Sequence, residues 1–341
     1  MSRHDRKLDL AARAAWLYYV AGKRQEEIAE QLNVSRQAVQ RLVALAVAEK
    51  LIKFRLDHPI AECMALAEEL KGRFGLAYCS VQPTDGVSEH PSPGIAMAAA
   101  EHLTTYLAER SPLVVAFSTG RMLRAMADEM PTMDCPQHKL VSLVGTISRD
   151  GQASSYEVVR RFAERSGAQC YPIPTPVVAS SVEERRLLQS QRSFAIVREL
   201  ASRAAVAFVG VGHIGWQAPI HRDHFVTDDE IAELIEKGAV GEIAGWAYDG
   251  MGRLVASSVN DRNAALPLSE LKHTRMIGVS GSRDRVIAIN AALRGGLLGG
   301  LITDESTALA LLRTRAGLDS AVERWNVCSP NEHPLKNAKG R

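Results

Sequence analysis

The hexapeptide GVGHIG, residues 210–215, has the glycine spacing of a dinucleotide-binding turn and follows an apolar, strand-like run. Such a turn opens a helix that holds a pyrophosphate, and an acidic residue about 20 positions later binds the ribose. Here the next residues end in Pro219, which resists a continuing helix, and no acidic residue ends a strand at that distance. We therefore expect no nicotinamide cofactor. We predict instead that Gly210, Gly212 and His213 line a pocket for another small molecule.

Two histidines, His221 and His224, form an HxxH pair a few residues later. A zinc site needs further protein ligands, and this charged loop offers no convincing third one. The five cysteines show no CxxC or CxH spacing, so neither a zinc knuckle nor a disulfide framework is indicated. We expect no bound metal, two solvated histidines and reduced cysteines.

The positive charge of the chain is concentrated at its N-terminus. Residues 1–60 contain 11 Lys and Arg against 7 Asp and Glu (net +4), and the remainder contains 30 against 32 (net −2). This asymmetry is typical of a small DNA-contacting domain on a neutral body. The 341 residues include no run of 18 apolar residues, and the charged start MSRHDRKLDL does not fit a signal peptide, so we expect a cytoplasmic protein.

Residues 8–50 have the periodicity of three helices. The first, over about residues 8–21, is ended by Gly22 and carries an apolar stripe formed by Leu10, Ala14, Leu17 and Tyr18. A second helix is predicted over about residues 25–32. Ser35 is placed as the N-cap of a third helix that reaches about residue 50.

The second and third of these helices have the register of a helix–turn–helix. Ala29 supplies the small residue where the helices cross, and Asn33 lies in the turn, where a left-handed backbone is needed. In this geometry the N-terminal half of the later helix enters the major groove, where Arg pairs with guanine and Gln with adenine. The predicted DNA-contacting residues are Ser35, Arg36, Gln37, Gln40 and Arg41. The alternative is a helical hairpin whose polar face is only solvated.

Residues 51–56, LIKFRL, alternate apolar and basic side chains, which favours a short strand at the start of a wing. Lys53 and Arg55 would then contact phosphates, unless the segment only connects two domains. We predict a DNA-binding domain over residues 1–56, a linker over 57–60, a second domain over 61–328 and a polar tail over 329–341.

Beyond residue 61 the sequence alternates between helical patterns and short apolar runs that end in small or polar residues. The helical patterns cover residues 61–75, 94–109, 155–166, 183–190 and 228–237. The apolar runs are LVVAFSTG, KLVSLVGT, AAVAFVGVG and MIGVSG. This alternation predicts an α/β fold with a mostly parallel sheet, whose ligands bind at the C-terminal ends of strands. The prolines of YPIPTPVVASS, residues 171–181, predict a rigid loop beside the ligand.

Several longer stretches resemble the SorC family of transcriptional regulators. They are the three-helix segment, STGRMLRAM, GAVGEIAGWAYDGMGRLV and VSGSRDRVIAINAALRGGLLGGLITDESTALALL, and the similarity covers nearly the whole chain. The resemblance implies a winged-helix-like helix–turn–helix domain followed by an α/β effector domain similar to sugar-phosphate isomerases and CoA transferases. It also implies a repressor, with an activator as the alternative, whose DNA affinity changes when a sugar, a polyol or its phosphate binds. Residues 140–185 are similar to regulators of polyol catabolism, which favours erythritol or a hexitol.

The same resemblance places the effector on several turns. Residues Ser118, Thr119, Gly120 and Arg121 follow a strand and open a helix, where N–H groups and the arginine could hold an anion. An ordinary strand-to-helix turn is the alternative. Gly145 and Thr146 match a second ligand loop, in which one of the two usual glycines is missing.

Two further matches come from the second half of the chain. Asp249 matches a strand-turn region where it could accept hydrogen bonds from sugar hydroxyls, or belong to a plain turn. Gly281 and Arg285 match a turn in which many relatives have lysine in place of the arginine. Arginine stays protonated and cannot form a Schiff base, so covalent capture of an aldose is excluded, but it can clamp a phosphate.

A competing interpretation is a sugar-phosphate isomerase-like enzyme with a DNA-binding appendage. Its base would be Asp249, Glu242 or His213, but no sequence feature pairs these residues convincingly. We therefore favour a sensor that returns its ligand unchanged. A single helix–turn–helix gives limited specificity, so we expect at least a homodimer on a repeated half-site, and the resemblance implies a homotetramer.

Overall fold

The structure, a computed structural model, describes residues 3–49, 51–52, 61–84, 92–147, 157–271 and 273–314. The chain divides into two compact units, Met1–Pro59 and Ile60–Arg341. The first contains helices α1 (Arg3–Tyr19), α2 (Gln25–Leu32) and α3 (Arg36–Ala48). Of the predicted strand over residues 51–56, only the first two residues are described and neither is in a strand, so Lys53 and Arg55 lie outside the described residues.

The local geometry of the first unit follows the sequence prediction closely. Asn33 ends α2 in the left-handed region, with φ 52° and ψ 50°. The Ser35 hydroxyl caps α3 by accepting a hydrogen bond of 3.2 Å from the Ala38 N–H. Gly22, at φ 64°, follows α1 as predicted. The buried core consists of Ala11, Ala14, Ala15, Leu17, Ile28, Val39, Leu42, Val43 and Ala46.

One assignment to this core was wrong. Tyr18 is 38% exposed and lies outside the buried stripe of α1. Its ring instead meets the ring of Tyr19 edge-on, with centroids 4.9 Å apart. Tyr18 is at helical spacing from Ala11, Ala14 and Ala15, but it lies in the last turn of α1, beyond the buried part of that face.

The second unit alternates strands and helices. Its strands are β1 (Tyr78–Gln82), β2 (Val114–Phe117), β3 (Lys139–Ile147), β4 (Gln169–Pro176), β5 (Val206–Val209), β6 (Gly212–His213), β7 (Ala239–Ile243), β8 (Trp246–Asp249), β9 (Arg275–Val279) and β10 (Gly300–Asp304). Its helices are α4 (Ala61–Phe74), α5 (Pro93–Leu107), α6 (Arg121–Glu129), α7 (Val158–Ser166), α8 (Val182–Gln189), α9 (Arg192–Ser202), α10 (Pro219–Arg222), α11 (Asp228–Glu236), α12 (Ser258–Arg262), α13 (Val286–Arg294) and α14 (Glu305–Arg313). Two 3-10 turns cover Leu268–Leu271 and Arg283–Arg285.

The described strands form a seven-stranded parallel sheet in the order β1-β10-β9-β5-β2-β3-β4. The predicted α/β fold is therefore confirmed, and the four apolar runs are β2, β3, β5 and β9. Successive residues of β2 face opposite layers, since Val115 and Phe117 pack into one buried cluster and Ala116 into the other. Helices α5, α6 and α7 cover the first face, and α4, α9 and α14 cover the second.

The prediction of a proline-rich loop over residues 171–181 was wrong in part, because its first six residues belong to the edge strand β4. Proline is tolerated in an edge strand, where one row of backbone N–H groups has no neighbouring strand. Gly145 allows β3 and β4 to approach, because a Cβ there would overlap the backbone oxygens of Thr175 and Pro176. The pairing of the two strands shifts register at this glycine.

A small antiparallel sheet, in the order β6-β7-β8, packs beside the main sheet. Its β7–β8 hairpin turns through two residues with positive φ, Ala244 (53°) and Gly245 (78°). Two positive φ values define the turn that matches the natural twist of a hairpin. Within the described residues, no helix has the length and hydropathy required to cross a membrane.

Candidate functional site

The polar side chains predicted on α3 form one exposed face of the first unit. Ser35, Arg36, Gln37, Gln40 and Arg41 are all exposed. Arg36 pairs with Glu26 of α2, with 3.1 Å between its Nε and the Glu26 carboxylate, and both side chains are more than half exposed. Such a pair is worth little in water, so it leaves the guanidinium available to another partner.

In the second unit, a cavity of about 110 Å³ opens at the C-terminal ends of β2 and β5. These neighbouring strands mark the switch point of the sheet, because the chain proceeds from β2 toward one edge and from β5 toward the other. A single water needs only about 10–15 Å³ on this measure, so the cavity has room for a small ligand. Its polar lining comprises Ser118, Thr119, Arg121, Asp223, Glu242, Ser280 and Arg285. Its apolar lining includes Met122, Leu123, Val144, Val177, Ile220, Phe225 and Val279.

Buried hydroxyls join the turns that surround the cavity. The Ser118 hydroxyl accepts a hydrogen bond of 3.0 Å from the Gly210 N–H, which links the turns after β2 and β5. The Ser280 hydroxyl donates to the Val211 carbonyl at 3.1 Å, which links the turn after β9. These two bonds fix the position of three separate segments around one space.

Helix α6 presents its N-terminus to this space. Gly120 and Arg121 both line the cavity, and Gly120 adopts φ 128°, a conformation that favours glycine. The first N–H groups of a helix lack partners within the helix and attract negative charge. Among the described residues, the buried Thr119 hydroxyl also has no hydrogen-bond partner. This corner of the cavity can therefore bind an oxygen-rich ligand.

Two cations and two carboxylates line the cavity. Arg121 donates to Asp223 at 2.7 Å, joining α6 to the end of α10. Burial raises the pKa of Glu242 above its ordinary value, although the Gly245 N–H and the charge of Arg285 oppose this shift. Burial likewise lowers the pKa of Arg285, opposed by Asp284 and Glu242. Arginine remains charged despite such a shift, so the site combines guanidinium donors with carboxylate acceptors.

Gly212 makes room for Glu242. A Cβ on this glycine would overlap the Glu242 carboxylate, which instead accepts a hydrogen bond of 2.8 Å from the Gly245 N–H. Gly212, the second glycine of GVGHIG, therefore accommodates a carboxylate in place of a pyrophosphate. The motif continues into β6, and the next helix begins only at Pro219.

The structure separates the predicted effector residues into two groups. The residues that line the cavity are Ser118, Thr119, Gly120, Arg121, Gly210, Gly212 and Arg285. The predicted residues that the cavity lining leaves out are Gly145, His213, Asp249 and Gly281. The backbone of Thr146 lies in β3, and its side chain is outside the described part of the chain.

Three residues of the second group have identifiable structural surroundings. Asp249 accepts hydrogen bonds from the N–H groups of Met251 and Arg253 and from the Arg253 guanidinium, which together outweigh burial and lower its pKa. His213 has a pKa lowered by burial and by the charge of Arg285, and its buried Nδ1 has no partner among the described residues. A Cβ on Gly281 would overlap the Asp304 carboxylate.

The sequence matches a family of known proteins along most of its length. Residues 58–313 match the family described as "Putative sugar-binding domain". The erythritol catabolism regulatory protein EryD of Brucella abortus (strain 2308) is 33% identical over 303 residues, which cover 89% of this chain and 96% of that protein. The chain belongs to the SorC family of sugar-binding transcriptional regulators.

Other members extend the similarity. The deoxyribonucleoside regulator of Bacillus subtilis (strain 168) is 30% identical over 312 residues, covering 90% of this chain and 98% of that protein. The structure of the full-length sorbitol operon regulator SorC from Klebsiella pneumoniae covers 89% of this chain and 98% of its own, with a TM-score of 0.70 and 22% identity. The fold is thus shared with a SorC-family regulator of known structure.

The two carboxylate residues that line the cavity of this SorC-family chain were not predicted as effector contacts. Glu242 was considered only as a catalytic base, and among the three candidate bases it alone lines the cavity. Asp223 was missed because it lies in the charged segment around HxxH. The prediction of solvated histidines there was wrong for His221, whose side chain is 13% exposed, contacts the Trp216 ring and pairs with Asp228 at 2.8 Å. The described residues contain no cluster of three metal-ligating side chains.

Proposed function

We propose that this protein is a DNA-binding transcriptional regulator whose affinity for its operator is set by a small polyhydroxylated effector in the cavity at the C-terminal ends of β2 and β5. The observation that carries the proposal is the convergence of guanidinium donors, carboxylate acceptors and a helix N-terminus on one cavity in a SorC-family fold. Sugars and polyols present several hydroxyls, each of which both donates and accepts hydrogen bonds.

The DNA-binding surface in this proposal is the exposed face of α3. Residues 3–49 form a helix–turn–helix, with α3 as the recognition helix, and the domain layout is a DNA-binding unit before an effector domain. The left-handed Asn33 and the Ser35 cap support this assignment, because they set the angle at which α3 leaves the turn. Arg36, Gln37 and Gln40 would contact base edges, and Arg41 would contact phosphate, with Lys53 and Arg55 as further phosphate contacts.

The effector in this proposal contacts both charge types in the cavity. Thr119 and the N-terminus of α6 would hold one end of the ligand, and Arg285 and Glu242 would contact the hydroxyls along its length. The 33% identity with an erythritol catabolism regulatory protein supports a polyol such as erythritol as the first compound to test. The remaining apolar lining would pack against the carbon chain.

Binding in the cavity can change DNA affinity only if the effector favours one arrangement of the protein over another. A homodimer or homotetramer supplies such arrangements, because the spacing between two recognition helices must match two half-sites. We therefore propose a homo-oligomer that represses a carbohydrate or polyol operon and is released by its effector. No catalytic step is part of this proposal.

The proposal is tested by binding the protein to labelled DNA from its own upstream region, with and without erythritol, pentitols, hexitols and their monophosphates. We expect specific binding that one compound weakens or strengthens, and recovery of that compound unchanged after prolonged incubation. Binding to upstream DNA that no compound alters would contradict effector gating. Conversion of a compound into a product would favour the isomerase-like alternative.

A further inference from the structure

Asp223 places a carboxylate where an anionic ligand would bind. Its Oδ1 lies 2.7 Å from an Arg121 nitrogen, and Arg121 begins α6 at the edge of the cavity. The two side chains are 20% and 34% exposed, so the pair is shielded from bulk water on most sides. The same Oδ1 is 3.8 Å from the Arg222 guanidinium.

The segment that carries Asp223 is held firmly. The Asp223 N–H donates to the Pro219 carbonyl at 2.9 Å, and the side chains of Ile220 and Val226, before and after Asp223 in the sequence, are buried. Two non-glycine residues with positive φ, Gln217 (65°) and His224 (58°), bound the segment. Such conformations persist where surrounding contacts over-determine them, so the carboxylate has a defined place in the cavity wall.

We infer that Asp223 is a specificity-determining residue, which makes the cavity select an uncharged polyol over the phosphate ester of that polyol. The inference rests on the proposed function, since it concerns the effector of the same cavity. A phosphate at the N-terminus of α6 would have to displace Asp223 from Arg121 and then remain close to the displaced carboxylate. An uncharged hydroxyl can instead donate a hydrogen bond to Asp223 and leave the ion pair intact.

The second carboxylate acts in the same direction. Glu242 also lines the cavity, and its Oε2 accepts a hydrogen bond from the Gly245 N–H. The carboxyl oxygens of Glu242 can accept hydrogen bonds from the hydroxyls of a polyol, whereas a phosphate dianion brings only acceptor oxygens to them. Arg285 can donate to hydroxyl oxygens of the same ligand. The charges of the lining therefore match a neutral, hydroxyl-rich molecule.

The test is calorimetric titration of the full-length protein with erythritol, erythritol phosphate and inorganic phosphate. The variants are Asp223→Asn and, as a matched control, Asp229→Asn, which removes the same charge from an exposed position in the first turn of α11. We expect wild-type protein to bind the polyol more tightly than its phosphate. Asp223→Asn should bind inorganic phosphate about tenfold more tightly or better, because a competing charge-assisted hydrogen bond is gone. Asp229→Asn should behave as wild type.

A double variant, Arg121→Gln with Asp223→Asn, shows whether the gain acts through Arg121, since it should lose the added phosphate affinity. Two results would overturn the inference while leaving the proposed function intact: tighter binding of the phosphate ester by wild-type protein, or unchanged phosphate affinity in a folded Asp223→Asn variant. If wild-type protein binds neither erythritol nor any other sugar, polyol or phosphate of the panel, the proposed function itself fails. The wild-type comparison tests the selectivity of the cavity even if a variant does not fold, and the Asp223→Asn variant tests the role of Asp223.

Discussion

The face of α3 and the cavity of the second unit are built in opposite ways. The α3 face places five polar residues within seven positions of one helix, all exposed to solvent. The cavity gathers its lining from the ends of β2, β5 and β9, from α10 and from the β7–β8 turn, segments that are distant in sequence. A helix presents its side chains at a fixed period, so a site on one helix tolerates single substitutions without loss of fold. A site assembled between strands shares its residues with the core.

The largest expected effect is on the stability of the second unit. Gly145→Ala should destabilise the protein by about 3 kcal/mol, because its Cβ would overlap backbone oxygens of β4 that cannot rotate away. The measurement is denaturant-induced unfolding of the full chain. Gly72→Ala in α4 is the control, since open space surrounds that glycine and alanine favours helix by about 1 kcal/mol. Equal stability of the two variants would show that β3 and β4 do not need a glycine at position 145 to approach each other.

Substitutions on the α3 face should weaken DNA binding without lowering the stability of the fold. Arg36→Ala should weaken specific DNA binding by about 1–3 kcal/mol while the unfolding midpoint stays unchanged, because the side chain is exposed. Arg13→Ala is the control, since Arg13 forms a similarly exposed ion pair with Asp9 on α1. Titration of labelled upstream DNA checks the difference. If both variants bind as wild type does, α3 is not the recognition helix.

The turn before α3 should show an effect of roughly 1–2 kcal/mol. Asn33→Ala places an ordinary side chain at φ 52°, which costs roughly 1–2 kcal/mol, whereas Asn33→Gly adopts this conformation freely. Hydrogen exchange of the α3 amides reports the local stability. We expect faster exchange in the alanine variant alone, and equal exchange in both variants would argue against a strained turn.

A pH dependence of the second unit is also expected. Burial, with a smaller contribution from Arg275, lowers the pKa of His102 from 6.5 to about 4, and its ring stacks on Tyr78 with centroids 3.8 Å apart. The unfolded chain therefore takes up a proton near pH 6.5 that the folded chain resists until about pH 4. The contribution of His102 to the free energy of unfolding should be constant above pH 6.5. It should fall as the pH drops from 6.5 toward about 4.

The matched variant is His102→Phe, which keeps an aromatic ring against Tyr78 and removes the titrating group. Urea unfolding at pH 7 and pH 5 should show a smaller loss of stability in the variant than in wild-type protein. An equal loss in both would assign the acid sensitivity to other groups.

Local rules predicted the first unit almost completely. The left-handed turn at Asn33 and the cap at Ser35 follow from residue type and position alone, and the structure contains both. Tyr18 was misplaced because the helical period alone does not show where the neighbouring helices end their contact. The sheet was also predictable, since four apolar runs alternate with helical patterns, but β4 was not, because its prolines are typical of loops and only its edge position permits them.

The cavity was predictable where glycine and small residues follow a strand, as at Ser118–Gly120 and Gly210. The part of the cavity lining that comes from other segments, such as Asp223, was not predictable. Asp223 follows a four-residue helix that has no clear periodicity, and its pairing with Arg121 joins positions 102 residues apart. Asp249 had the right type for a hydroxyl acceptor, but local hydrogen bonds within its own turn occupy the carboxylate. Sequence spacing does not show such competition.

The measurement that tests the central claim most directly is the affinity of one effector in the presence and absence of upstream DNA. Coupling between two binding sites is reciprocal, so an effector that weakens DNA binding by a given factor must itself bind the DNA-bound protein more weakly by that same factor. The account predicts equal factors from the two titrations. Effector affinity that stays the same with and without DNA would contradict it, because the cavity and the α3 face would then act independently.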